Sequence, residues 1–345
     1  MQSRTTFTLK MPQFEALIHA GLEMRIERRQ KLGKIEATVT KTHSGWNKTA
    51  ASNRGRPGWK DRAVFTRFAG AAVRAVFMAL LVATPSLLLG NVSADAAQIV
   101  VLAALLAALM TFIEYYSQYP SIVEFRYASP FNRLRFYALF LTVTLLSVIF
   151  ADKGAQASGM AETLTRLGTA WGDMLDFPYS PVRLVVLMMP EQAPEAILSA
   201  VRTAAGIAYM VSLFALVLFV MMVRLLGWPT RNRAFNVWVN LPLFDPTAGG
   251  DVVHRLRRDA RINIVLGILL PFLIPAVVKA AASLIDPLSM QNPQTLIWMM
   301  AAWAFIPASM IMRGIAIGRI AELIEQKRNR AYTAAQKSGV QAASA

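Results

Sequence analysis

The sequence predicts an all-α fold: a polytopic integral membrane protein of six transmembrane helices, with N- and C-termini both cytoplasmic. Three observations carry this. Six apolar runs of about twenty residues, the length that a bilayer core requires, recur between positions 68 and 317. Hydrophobic residues make up 55% of the chain and mean hydropathy is +0.42, beyond what one soluble core would hold. The cations, finally, are distributed very unevenly along the chain, and that distribution sets orientation.

Residues 1–67 read as a basic cytoplasmic arm holding 14 of the 36 Lys and Arg. Phe14, Leu17, Ile18, Leu22 and Ile26 recur at helical spacing after Pro12, so an amphipathic helix is expected. It would lie on anionic lipid or pack on the protein's own inner face. From Thr38 to Arg62 the composition is Ser, Asn, Gly, Lys and Arg, which describes a flexible linker. Its Arg54-Gly55-Arg56-Pro57 has the short shape of a minor-groove arm. Four residues in a basic linker are weak evidence, and nucleic acid is not an expected partner. No cleavable signal is read at the start, and Val92-Ser93-Ala94 is taken as a turn between two helices, not as a cleavage site.

The six spans are expected at about 68–90, 96–113, 134–150, 200–226, 262–285 and 295–317, within a bundle covering 68–317. Between the second and third lies Glu114 to Phe136, EYYSQYPSIVEFRYASPFNRLRF. Its Glu114, Glu124, Arg126, Arg133 and Arg135 would each cost about 3 kcal/mol at the bilayer centre, so it must return to the surface. There its tyrosines and phenylalanines suit headgroup depth. Residues 151–199 form an outer loop, partly helical: Met160, Leu164, Leu167, Trp171 and Leu175 suggest an amphipathic surface helix. Pro181–Met189 is an apolar piece too short to cross. In the inner loop 227–261, Phe235, Val237 and Val239 alternate like a short strand, and the basic run His254–Arg258 follows. Residues 318–345 are expected to be a cytoplasmic helical extension ending in a disordered tail.

Counted against this threading, 30 of the 36 cations fall inside, and only Lys153, Arg166 and Arg183 fall outside. Every short loop favours the same orientation. The reading is an integral membrane protein of a bacterial cytoplasmic (inner) membrane.

Reactive chemistry is scarce. The chain has no cysteine, and His19, His43 and His254 all lie outside the apolar runs, so thiolate chemistry and bilayer haem ligation have no residues to use. No metal-spaced cluster, nucleotide fingerprint or catalytic triad is found, so the sequence assigns no catalytic, cofactor-binding or metal-ligating residue. Candidates for partner or lipid contact are Tyr115, Tyr116, Tyr119, Arg126, Arg133, Arg135, Trp238, Arg255, Arg257 and Arg258. Candidates for a pathway or for packing are Arg74, Glu114, Pro271, Pro275 and Lys279. Arg74 and Lys279 are long enough to snorkel, and Glu114 is expected to pair with Arg74. Pro271 and Pro275 should kink the fifth span, freeing the carbonyls of Gly267 and Pro271.

The expected function is therefore non-catalytic. The protein organises, assembles or docks membrane partners through aromatic, basic cytoplasmic loops. Anionic lipid headgroups and a membrane-protein partner or second copy are its expected contacts. The alternative is a small-solute transporter or channel that uses the kinked fifth span. A lipid-directed enzyme using inner-face arginines and Glu114 comes third.

Overall fold

The computed structural model describes residues 59–90, 92–151, 159–229, 240–245, 249–281 and 292–343. Eight helices occur among them: α1 Trp59–Leu88, α2 Ala94–Tyr116, α3 Phe131–Phe150, α4 Gly159–Leu175, α5 Pro181–Leu187, α6 Glu195–Leu225, α7 Val252–Ala280 and α8 Pro293–Ala343. No strand is present among the described residues. Six of the helices (α1, α2, α3, α6, α7 and α8) are long and apolar enough to cross a membrane. Residues 69–345 form one compact unit.

Contacts set the helix directions. On α7 and α8, Pro271 meets Trp303 and Arg257 meets Glu325, so these helices are antiparallel. Phe131 at the start of α3 meets Phe219 near the end of α6. Phe77 of α1 packs on Phe136 of α3, and Ser86 of α1 bonds Gln294 of α8. The 117–130 connector and the end of α6 therefore share one end of the bundle, and α4 and α5 lie at the other.

Two apolar clusters fill the interior. At the α4–α5 end, Val143, Leu146, Val182, Val185, Ala204, Ala208 and Ile297 are buried together. At the connector end, Phe125, Phe131, Phe219, Trp228, Leu256 and Ile317 form the second. The first half of α6 is buried on nearly every side, through Val201, Ala204, Ala205, Ile207 and Ala208. Its alanines and glycine let neighbours approach closely, which is how helices associate where water supplies no driving force between them. By contrast α2 is peripheral. Only Ala104 and Glu114 are buried in it, while Ile99, Leu102, Leu105, Leu106 and Leu109 are exposed.

Several expectations change. The connector is shorter than 114–136: Glu114, Tyr115 and Tyr116 form the last turn of α2, and Phe131 to Phe136 belong to α3. Helix α7 begins ten residues before the expected start at 262, so the His254–Arg258 run is helical, opened by an Asp251 side-chain cap on the Val253 N–H. The cap satisfies an amide that has no partner within the helix. Helix α8 spans 51 residues, roughly 77 Å at 1.5 Å per residue, against a hydrocarbon core of roughly 30 Å. It continues to Ala343, so the expected extension beyond 318 is helical. Helix α7 is helical through both prolines to Ala280.

The α4 stripe is displaced from the one anticipated. Ala161, Gly168 and Gly172 are its buried positions, with Leu164, Trp171 and Leu175 beside them, while Met160 and Leu167 face outward. The helix packs along α6, where a Cβ on Gly206 would lie 2.6 Å from the Gly172 backbone. The short apolar piece does cap the bundle: Ser180 receives the Arg183 N–H, and Val182, Val185 and Val186 are buried. The arm helix around Phe14–Ile26, the strand-like 235–239 stretch and Trp238 lie outside the described residues.

Candidate functional site

The connector end brings together most of the residues singled out from sequence. Glu114 ends α2 with its carboxylate turned into the following turn. It accepts the backbone N–H groups of Ser121 (2.9 Å), Ile122 (3.2 Å) and Val123 (3.1 Å), and the Ser121 hydroxyl. A carboxylate so placed satisfies three amides that a tight turn leaves without backbone partners. The expected ion pair with Arg74 is therefore replaced. The Arg74 guanidinium instead donates to the Gly70 carbonyl of its own helix and lies 4.8 Å from the Tyr115 ring centroid.

Arg126 fastens the same turn from the other side. It donates to the carbonyls of Glu114 and Ser117 and to the hydroxyls of Ser117 and Tyr127. Its guanidinium also faces the rings of Tyr127 at 4.7 Å and Tyr115 at 5.9 Å, a favourable charge–quadrupole arrangement.

Below the turn sits an aromatic cluster that sequence reading did not assemble. Phe125 packs on Phe131 at 4.6 Å and on Trp228 at 5.6 Å, and Phe219 meets Phe131 and Trp228, each at 5.3 Å. Phe125 has φ of 55°, a left-handed backbone that a bulky residue adopts only under constraint. Its N–H donates to the Asn240 carbonyl at 2.7 Å and its ring is buried, so tertiary contacts hold the strained residue. The Trp228 indole donates to the Ala128 carbonyl, tying the α6–α7 loop to the connector.

An ion-pair group lies beside the cluster. Arg313 of α8 takes both oxygens of Glu124, at 2.6 and 2.8 Å, and reaches Asp259 of α7 at 3.4 Å. In the sequence these three are no more than scattered charges. The members are 54 and 189 residues apart in sequence, so no spacing rule connects them.

The remaining candidates divide. Arg135, one turn into α3, faces the rings of Phe131 (5.3 Å) and Phe305 (5.9 Å), and its Nε is buried without a hydrogen-bond partner. Arg133 is exposed on the neighbouring face. Tyr116 stacks on Phe112, and Tyr119 is 76% exposed. Arg255 donates to the Asp245 carbonyl and covers the Phe244 ring, and Arg257 pairs with Glu325. Arg258 is exposed.

The pathway candidates do not converge. The carbonyl of Pro271, freed by Pro275, accepts the Trp303 indole N–H at 3.1 Å. Gly267 packs against Pro307 and Ile311 of α8. Lys279, at the far end of α7, donates to the Met189 carbonyl at 3.3 Å. At that end Asp176 holds Arg202 at 2.8 Å and Arg183 at 3.3 Å, fixing α4 and α5 to α6. Among the described residues no group of three or more His, Asp or Glu is placed to hold a metal.

No protein-family model, curated protein or solved structure matches this chain.

Proposed function

We propose that this chain is a non-catalytic membrane scaffold. Its connector end docks a membrane-protein partner from the inner face of a bacterial cytoplasmic membrane, with both termini on that side. One observation carries the reading. The charged residues of the connector are used internally, in the Glu114 turn and the Glu124–Arg313 pair, while Tyr119, Ile122 and Tyr127 are turned outward. Ile122 is 73% exposed on a turn whose backbone is fixed on both sides. A rigid loop presenting aromatic and aliphatic side chains loses little freedom on binding, which favours recognition. Placement of 30 of 36 cations supports the inside assignment of that face.

The solute-pathway alternative draws less support from the fifth span. Of the two carbonyls freed by its prolines, that of Pro271 accepts the Trp303 indole N–H, and Lys279 donates to the Met189 carbonyl. The test is extraction of the full chain in a mild detergent, with quantitative mass spectrometry of what accompanies it. A stoichiometric membrane protein should copurify with wild type and be lost from Tyr119→Ala/Ile122→Ser. A chain that emerges alone, or companions indifferent to both substitutions, would overturn the scaffold reading.

A further inference from the structure

Three arginines converge on the Tyr115 end of α2, and among the described residues none has a carboxylate in salt-bridge contact. Arg74 and Arg126 both lie within 6 Å of the Tyr115 ring centroid. Arg135 lies one turn into α3 at the same connector end, with its Nε buried and without a hydrogen-bond partner. The two nearby acids are otherwise engaged: Glu114 by the amides of residues 121–123, Glu124 by Arg313. Positive charge gathered at the edge of an apolar bundle in excess of the acids beside it calls for an anion.

We propose that Arg74, Arg135 and Arg126, with the Tyr115 hydroxyl, form a binding site for the headgroup phosphate of an anionic phospholipid. The chemistry suits the ligand. Among the described residues Arg74 has one hydrogen bond, to Gly70, and the Arg135 Nε has none, so their guanidinium forks can match phosphate oxygens. Arg126, whose terminal N–H groups hold the connector turn, adds positive charge, and a phenol adds a further donor. Depth and surroundings favour a lipid over a dissolved anion. Tyr115 stands next to the connector end of its candidate span and Arg74 ten residues into its own, a depth at which the neighbouring medium is lipid. Val73, Val76 and Phe77 of α1 and Ile113 of α2 are exposed and apolar, offering acyl chains a surface below the headgroup. Basic pockets between transmembrane helices on the inner side take anionic headgroups in this way. The inference rests on the membrane reading of the six spans and not on a protein partner.

The experiment uses the full chain, delipidated in detergent, titrated with short-chain phosphatidylglycerol, short-chain phosphatidylcholine and inorganic phosphate. Wild type should prefer phosphatidylglycerol at least tenfold over phosphatidylcholine, and Arg74→Gln/Arg135→Gln should erase most of that preference. Arg261→Gln, which removes an exposed cation of α7 outside the candidate contacts, should keep it within twofold. If the double variant does not fold, Arg74→Lys serves: it keeps the charge, loses the fork, and should weaken phosphatidylglycerol several-fold. Equal binding of the two lipids would overturn the proposal, and so would equal losses in the α7 control. Inorganic phosphate binding as tightly as phosphatidylglycerol would mark the site as one for a free anion and likewise reject the lipid. Partner copurification measured on the same preparations separates this outcome from the fate of the scaffold reading.

Discussion

The indole N–H of Trp303 on α8 donates to the carbonyl of Pro271 on α7 across 3.1 Å. That carbonyl is available because residue 275 is also proline and cannot return the usual helix bond. A polar vacancy made by one helix is thus filled by its neighbour. Trp303→Phe should lower stability by about 1 kcal/mol, the scale of hydrogen bonds between membrane helices. In a Pro275→Ala background the backbone N–H regained at that position can bond the same carbonyl, and the cost of Trp303→Phe should shrink. A thermal-unfolding double-mutant cycle in detergent should therefore show coupling of roughly 0.5 kcal/mol or more. Strict additivity would mean that the indole bond is not what couples the two positions.

Removing the Glu114 carboxylate should loosen the connector. Glu114→Ala leaves the Ser121, Ile122 and Val123 amides without their acceptor, a loss on the order of 2–3 kcal/mol for partly buried groups bonded to a charge. Glu114→Gln keeps one acceptor oxygen and should cost roughly half as much. Limited proteolysis reads this directly: cleavage within 117–123 should quicken in the order wild type, Gln, Ala. Equal cleavage rates in all three would show that the turn holds itself without the carboxylate.

Glu114 also shows how far sequence reasoning reached. Its importance was legible, because an acid between two apolar runs has to be accommodated. Its partner was not, because backbone amides seven to nine residues later carry no side-chain signature. The spans were legible from apolar length, yet their ends moved. Ser93 and Asp251 cap helices α2 and α7 outside the apolar windows, where hydropathy has nothing to measure. The α4 stripe shifts for a related reason: Gly168 and Gly172 make its closest approach to α6 and carry no hydrophobic signal, while Met160 and Leu167 are exposed. The Glu124–Arg313 pair was invisible, being a product of the tertiary fold.

That pair should behave as a unit. Glu124 is 9% and Arg313 28% exposed at the side chain, so deleting one partner leaves the other poorly solvated. Glu124→Ala or Arg313→Ala alone should cost about 3 kcal/mol, while Glu124→Leu/Arg313→Met should cost less than either, because the only charge then left without this partner is the more exposed Asp259. Unfolding midpoints of the three variants, measured under one detergent condition, decide the matter. A double variant as weak as the sum of the two single losses would contradict the coupling.

The α4–α6 contact ranks two glycines. At Gly206 an added methyl would meet the Gly172 backbone at 2.6 Å, and backbone cannot step aside. At Gly168 the nearest obstacle is the Ile207 Cδ1 at 2.5 Å, the end of a side chain that can rotate. Gly206→Ala should therefore cost about 2–3 kcal/mol, in the range of overpacking, and Gly168→Ala clearly less. Ile207→Val should further relieve Gly168→Ala and leave Gly206→Ala unimproved. Reversal of this order in thermal melts would place α4 differently against α6.

Orientation can be tested with the tools the chain itself provides, since it has no cysteine. Single cysteines at Tyr119, Gln192 and Gln326 would occupy exposed positions on the connector, the α5–α6 turn and the α8 extension. Helix directions put Tyr119 and Gln326 at one end of the bundle and Gln192 at the other. With cations retained inside, a membrane-impermeant maleimide applied to intact spheroplasts should label Gln192→Cys, while Tyr119→Cys and Gln326→Cys react only after lysis. Labelling of Tyr119→Cys from outside would invert the protein in the membrane. Labelling of Tyr119→Cys and Gln192→Cys from one face would break the threading itself, because the α3 and α6 spans would then no longer place the connector and the α5–α6 turn on opposite sides.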